Sequence, residues 1–167
     1  MDADQLKALQ RPLKDRYRAE PGAARVTLRA TGRLGEGIAC SVETGRARVE
    51  AGLHPATGGT GAQACSGDML LQALVACFGV TVGAVATALG ILLRGGSIHA
   101  EDDRDFRGTL GVDKTAPVGF QAIRLQAHLD GDAAPDQLDR LLELSERYCV
   151  VLQTLRSPAG ITTSRIG

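Results

Sequence analysis

One long, almost uncharged stretch constrains this chain more than any other part of it. It runs from Cys65 to Gly90, CSGDMLLQALVACFGVTVGAVATALG, and Asp68 is its only charged residue. The hydroxyl of Ser66 suits a helix N-cap, and Asp68 suits the positive end of the helix dipole. Gly90 is a common type of helix stop. The stretch therefore predicts one long helix, and because its apolar residues fall on all faces, we expect protein to surround it.

A membrane span is the alternative explanation of this stretch. About 20 apolar residues suffice to cross a bilayer, and Gly79 and Gly83 form the GxxxG pair found where membrane helices pack together. However, the stretch contains Gln72, is rich in small residues, and has no aromatic residue at either end to anchor it at an interface. These features favour a buried helix whose small residues let another backbone approach closely.

The composition limits the partners that we expect. Lysine plus arginine and aspartate plus glutamate both number 19, so the formal charge is zero, and aromatic residues are few. Such a chain gives no basis for nucleic-acid binding or for attraction to an anionic membrane. The first residues, MDADQLKALQ, resemble neither a signal peptide nor a transit peptide, which indicates a cytoplasmic protein.

The rest of the pattern predicts strands and helices around the long helix. Residues 3–18 form an amphipathic helix that Pro12 interrupts, and alternation with a period of two begins at Arg25. Pro135 suits the first turn of a later helix that runs to about Cys149. The tail after it either continues as a helix or becomes an edge strand. Five strands are predicted, at residues 25–31, 38–42, 46–51, 97–108 and 118–129.

This order predicts an α+β fold in which an antiparallel sheet wraps on the long central helix. Residues 1–22 are assigned to an N-terminal helical arm and residues 23–167 to a single domain, since a chain of 167 residues fits one domain. Five short strands of one chain hardly cover a helix that is apolar on every face. We therefore expect an intertwined two-fold homodimer in which two such helices pair.

The four cysteines, Cys40, Cys65, Cys77 and Cys149, are too few for a disulfide scaffold and lack the CxxC spacing of zinc sites. For each one alone, a small buried hydrophobe is the ordinary explanation. Cys65 and Cys77 are twelve positions apart on one helix, roughly 18 Å, which is too far for a disulfide. Cys77 and Cys149 lie on different helices, and packing of both helices on one core can bring their sulfurs together.

Two segments resemble a known family. The run LLQALVACFGVTVGAVA, with an acid shortly before it, is similar to the central helix of the OsmC/Ohr family, the osmotically inducible and organic hydroperoxide resistance proteins. The later run ERYCVVLQTL is similar to the segment that holds the family's second cysteine. The resemblance covers most of residues 23–167, an OsmC-like domain, and its strength lies in the two cysteine contexts together.

The resemblance implies a cysteine-based thiol peroxidase. Cys77 matches the peroxidatic cysteine, whose thiolate attacks the O–O bond of a hydroperoxide and becomes a sulfenic acid. Cys149 matches the resolving cysteine, which then forms a disulfide with it. An external thiol or dithiol restores the enzyme, and no metal, haem or flavin is needed. The alternative is a non-enzymatic protein that holds a small apolar ligand on the same dimeric fold.

Attack by Cys77 needs a nearby cation, because an apolar helix raises the pKa of a thiol and only the thiolate is nucleophilic. The family uses an arginine, held by an acid, in the glycine-rich turn after its first strand. The best match is Arg33 in ATGRLGEG, and the second is Arg48 on the predicted third strand. Asp68 is the acid nearest to the family's position.

Two departures from the family pattern concern these residues. The family usually has Pro-Glu ahead of the helix, where this chain has Ser66-Gly67-Asp68, and Pro often follows the second cysteine, where this chain has Val150. An acid displaced by one helical position points about 100° away. His54, in the loop HPATGGTG, is expected to be exposed or to line the site from that loop.

Overall fold

A computed structural model describes residues 3–34, 40–42 and 51–165 of the chain. Helices and strands alternate in an order that confirms the predicted α+β class. In chain order they are α1 (Ala3–Ala19), β1 (Arg25–Leu34), β2 (Cys40–Val42), α2 (Ser66–Leu89), β3 (Leu93–Asp105), α3 (Phe106–Thr109), β4 (Ala122–Gly131), α4 (Pro135–Tyr148) and α5 (Val150–Arg156). The undecided tail is thus helical as far as Arg156.

The described strands form one antiparallel sheet with the order β2-β1-β3-β4. The register pairs Ala30 with Ala100 and Gly32 with Ile98, and both Ile98 and Ala100 are buried against residues of α2. The alternate row of β3, which includes His99, is on the other face of the sheet. One face of the sheet therefore packs on the central helix, as the alternating pattern predicts.

Helix α2 is the centre of the core. It contacts β1 and β3 on one side and α4 and α5 on another, and it ends at Gly90, whose φ of 68° is in the left-handed region. Among the described residues, it is the one helix long and apolar enough to cross a membrane, a test that the core helix of a soluble protein also passes. Its contacts with the sheet and with α4 are those of a core helix.

The helix boundaries differ from the prediction at two places. Ser66 is the first residue of α2 rather than its N-cap, and Cys65, which stands at the cap, makes no side-chain capping hydrogen bond. Helix α1 continues through Pro12. A proline removes only one helical hydrogen bond, and here that loss does not end the helix.

The strand boundaries differ as well. Strand β3 begins at Leu93 and ends at Asp105 rather than spanning 97–108, because the Asp105 carboxylate accepts a hydrogen bond from the Arg107 backbone N–H and starts α3. Strand β4 begins at Ala122 instead of residue 118. The predicted strand at 46–51 lies outside the described residues except for Ala51, which forms an isolated bridge.

The N-terminal arm packs on a second, smaller apolar cluster. Tyr17 is only 3% exposed, contacts the cluster formed with Ala24, Phe106 and Leu110, and donates a hydrogen bond of 2.6 Å to the carbonyl of Ala56. The arm is therefore attached through a buried side chain. The division of the chain at residue 22 stays a prediction.

Candidate functional site

Two thiols meet where α2 passes the junction of α4 and α5. Cys77 lies in the middle of α2 and is half-buried, whereas Cys149 is completely buried. Both are free thiols, and they lie close enough together for a side-chain hydrogen bond with Cys77 to raise the pKa of Cys149. Packing of the two helices thus brings the sulfurs of Cys77 and Cys149 together, whereas Cys65 lies three turns away at the start of α2.

Cys149 occupies a break between two helices. It ends α4 and precedes α5 with φ −72° and ψ 108°, an extended conformation. Its N–H donates to the Ser145 carbonyl, and its own carbonyl accepts from the Gln153 N–H. The break turns the side chain into the core while both backbone groups stay hydrogen-bonded.

Burial keeps Cys149 protonated at neutral pH. Desolvation is the largest cause, and it raises the pKa of the Cys149 thiol to about 11, with a smaller increase from its hydrogen bond to Cys77. The backbone N–H groups of Val151 and Leu152 act in the opposite direction, and their effect is smaller. The Cys149 thiol therefore ionises less readily than an exposed thiol.

An apolar cavity of about 790 Å³ lies beside the two cysteines. Leu74 and Phe78, from the turn of α2 that carries Cys77, line it, as do Glu146 and Leu152 from the turns on each side of Cys149. Neither cysteine is itself among the lining residues. The cavity is large enough for a small organic molecule next to the thiol pair.

Asp68 lies far from this thiol pair. It stands in the first turn of α2, and the separation of nine positions from Cys77 corresponds to about 13.5 Å along the helix and half a turn around it. Burial raises the pKa of Asp68, while the charges of His54 and Arg104 oppose that increase. Asp68 therefore belongs to a different cluster of charges from the one expected around Cys77.

His54 belongs to the same cluster as Asp68. Its ring stacks on Phe106 at a centroid distance of 4.9 Å, and its Nδ1 accepts a hydrogen bond of 3.0 Å from the Ala56 N–H. Burial lowers the pKa of His54, although the charge of Asp68 partly opposes this effect. His54 is therefore a neutral, packed residue of the loop before α2.

Of the two predicted arginines, Arg33 lies within the described residues and Arg48 does not. Arg33 is in β1, where its register partners are Ser97 and Ser41. Arg48 lies outside the described residues.

A buried ion pair that the sequence did not reveal lies on β3. Asp102 is 0% exposed, and the Arg104 Nε is 3.6 Å from its Oδ2. Neither Asp102 oxygen has a hydrogen-bond partner in good geometry, although the backbone N–H groups of Gln121 and Ala122 lie close enough to lower its pKa. Burial has the larger effect and raises the pKa of Asp102.

A signal for this pair does exist in the sequence. Asp102 and Arg104 have the same parity as Ile98 and Ala100 in a strand, so a strand whose even positions are buried necessarily buries a charge.

Among the described residues, no group of three or more His, Cys, Asp or Glu side chains could hold a metal ion.

The fold and the site together define an α+β protein with two adjacent free thiols at its central helix. The chain belongs to the OsmC-like protein family, whose family model matches residues 59–164. That range begins before α2 and includes both cysteines and everything from α2 to α5.

A solved structure shares the fold. It is an OsmC-like hydroperoxide resistance protein from Jannaschia sp. CCS1, with a TM-score of 0.60 and 16% sequence identity over 86% of this chain and 95% of that chain. The sequence matches none of the curated proteins with which it was compared.

Proposed function

We propose that this protein is a thiol peroxidase that reduces organic hydroperoxides in the cytoplasm through Cys77 and Cys149. The Cys77 thiolate attacks the O–O bond, which breaks to leave a sulfenic acid on Cys77 and an alcohol after protonation. The Cys149 thiol then attacks the sulfenic acid, forming a disulfide and releasing water. An external dithiol reduces the disulfide and is itself oxidised to a disulfide, so no cofactor is needed.

The hydrogen-bonded thiol pair is the observation that carries this proposal. A redox pair must approach within a disulfide length, and side chains already in hydrogen-bond contact need only a small movement to do so. Cys77 and Cys149 are 72 positions apart in the sequence, so the tertiary structure brings them together. Membership of the OsmC-like family and the fold of a hydroperoxide resistance protein support the same function.

The apolar cavity supports an organic substrate. Its lining is mainly aliphatic and aromatic, and its volume of about 790 Å³ exceeds what hydrogen peroxide needs. The organic group of a hydroperoxide can occupy this cavity while its O–O bond lies toward Cys77. A non-enzymatic protein that stores an apolar ligand would use the same cavity, so kinetics must decide between the two functions.

The cation that keeps Cys77 ionised is proposed to be Arg33, with Arg48 as the second candidate, and these roles rest on the family resemblance. Because Asp68 is two and a half turns from Cys77, an arginine bound by Asp68 does not reach the sulfur without a movement of the chain. Arg33→Met is expected to slow peroxide attack about tenfold or more, whereas Arg48→Met leaves it unchanged. The reverse result would transfer the role to Arg48.

A two-fold homodimer is proposed as the functional form. Helix α2 and the end of α4 form an apolar groove of about 440 Å³, lined by Val80, Thr81, Ala84, Val85, Ala88, Leu89, Leu144 and Tyr148. Three of its large side chains, Val80, Leu89 and Tyr148, are 39–57% exposed. A second copy of α2 would cover this groove, because the small Ala84 and Ala88 allow close approach of another helix.

Turnover of cumene hydroperoxide by the full chain with dithiothreitol tests this function. Cys77→Ser is expected to abolish turnover, because the hydroxyl is far less nucleophilic than a thiolate. Cys65→Ser is the matched control, since Cys65 is a free cysteine at the N-cap of α2, three turns from Cys77, and this variant should retain full activity. Full activity of Cys77→Ser would contradict the proposal, and tight binding of an apolar ligand without turnover would favour the storage protein.

A further inference from the structure

We infer that Arg104 is a positioning residue that fixes one wall of the apolar cavity through Phe120 and so sets its selectivity for bulky hydroperoxides. The inference about selectivity rests on the proposed peroxidase function. The inference about the cavity wall rests on geometry alone.

The guanidinium group of Arg104 contacts the ring of Phe120. The Arg104 Cζ lies 4.1 Å from the centroid of the Phe120 ring. The Arg104 side chain is only 13% exposed, and a desolvated guanidinium on an aromatic ring makes a stronger cation–π contact than an exposed one. Phe120 in turn lines the cavity. Arg104 therefore lies directly behind a ring that forms part of the cavity surface.

The segment that forms this part of the cavity wall, residues 119–122, lies mostly outside the sheet. Residues 119–122 line the cavity consecutively, but β4 begins only at Ala122. Ahead of that point, Gln121 donates one long backbone hydrogen bond, 3.3 Å, to the carbonyl of Asp103. Phe120 itself is outside the sheet, and side-chain contacts with Arg104 and with the core cluster around α2 hold its ring.

Asp102 fixes Arg104 in turn. Its carboxylate is completely buried and lies beside the Arg104 Nε, which also has no hydrogen-bond partner in good geometry. Arg104 is the largest of the influences that favour the charged carboxylate, ahead of the Ala122 and Gln121 backbone N–H groups. A swing of Arg104 toward solvent would therefore take away the counter-charge of Asp102. The order of dependence is Asp102, then Arg104, then Phe120, then the cavity wall.

Binding of 2-phenyl-2-propanol, the alcohol product of cumene hydroperoxide, tests the wall independently of turnover. Arg104→Lys keeps a cation beside Asp102 but loses the flat group that stacks on Phe120. We expect the Kd of the alcohol to rise about fivefold, because a ring that is no longer fixed in place contacts the ligand less closely. The KM for cumene hydroperoxide should rise by the same factor, with kcat and the rate with hydrogen peroxide unchanged.

Arg124→Lys is the matched control. Arg124 lies on the opposite face of the same sheet, where it pairs with Glu101 and Asp103, and it does not line the cavity. Phe120→Leu keeps the Asp102–Arg104 pair and removes the ring. It should weaken alcohol binding as Arg104→Lys does, and the double variant should show no further loss.

The outcomes separate the two claims. An unchanged alcohol Kd in Arg104→Lys, or an equal change in Arg124→Lys, would overturn the inference. If Arg104→Lys does not fold, Phe120→Leu decides: unchanged alcohol binding would refute a wall made by that ring. Weakened alcohol binding in a protein whose wild type reduces no hydroperoxide would reject the peroxidase function and leave the role of Arg104 in the cavity supported.

Discussion

At the scale of single residues, the two cysteines differ in environment and in the chemistry that each can perform. Cys77 is half-buried, whereas Cys149 is 0% exposed and its thiol has a raised pKa. A buried thiol with a raised pKa is a poor first nucleophile, because attack on a peroxide needs the thiolate. This difference matches the proposed division into an attacking and a resolving cysteine.

The raised pKa of Cys149 predicts the pH dependence of the second step. Since this pKa is about 11, the thiolate fraction of Cys149 grows about tenfold for each pH unit below that value. The conversion of the Cys77 sulfenic acid to a disulfide should therefore accelerate steadily from pH 7 toward pH 10. Rapid quenching with a thiol-blocking reagent, followed by mass spectrometry, measures this rate. A rate that is already maximal at pH 7 would refute this assignment.

At the scale of helices and strands, local patterns were sufficient where local forces decide. The position of α2 follows from an uninterrupted apolar run and from Gly90, both of which act within a few residues. The Asp102–Arg104 pair was not predicted, because charges at 101–105 fall on both faces of a strand. The apolar Ile98 and Ala100 indicate which face of the strand is buried, but they do not show that a charged residue further along the same face stays buried.

Some residues of the candidate site could be predicted from the sequence, and others depend on tertiary contacts. The faces of two helices and the family resemblance together indicated Cys77 and Cys149. The acid Asp68 was chosen by its position relative to a family pattern, and the structure shows that it is two and a half turns from Cys77 on a continuous helix. Arg104, which acts across the tertiary structure, has no sequence motif to mark it.

The end of α2 provides a prediction about backbone conformation. Gly90 has φ 68°, and a Cβ added there would meet nothing within 4 Å. Gly90→Ala should therefore lower the free energy of unfolding by about 1 kcal/mol through backbone strain alone, and Gly90→Asn by less, because Asn tolerates the left-handed region.

Urea denaturation measures both of these changes. Gly22→Ala is the control, since its added Cβ also meets nothing and its φ is not in the left-handed region. A loss for Gly22→Ala as large as that for Gly90→Ala would contradict a cost due to φ.

At the scale of the whole molecule, the central helix is covered by the sheet on one side and by α4 and α5 on another, and the apolar groove is left open. An exposed apolar groove beside a core helix is a common place for a subunit contact. A two-fold dimer would make the same groove of both copies a single interface and would complete the burial of α2.

Sedimentation equilibrium tests the dimer. The wild type should have about twice the chain mass of 17.4 kDa, and Val80→Lys should sediment as a monomer because a buried lysine in the groove is costly. Val118→Lys is the control, since Val118 is also exposed but lies outside the groove. A monomeric wild type, or a dimeric Val80→Lys, would reject this interface.

The most direct test of the redox pair is to map the disulfide formed by one equivalent of cumene hydroperoxide. Digestion without reduction, followed by mass spectrometry, identifies the linked peptides, and denaturing gel electrophoresis without reductant shows whether the bond is within one chain. The proposed mechanism predicts a single Cys77–Cys149 disulfide, two thiols lost per chain, and a 17.4 kDa band. A disulfide that joins other cysteines, or two chains, or the survival of both thiols, would contradict it.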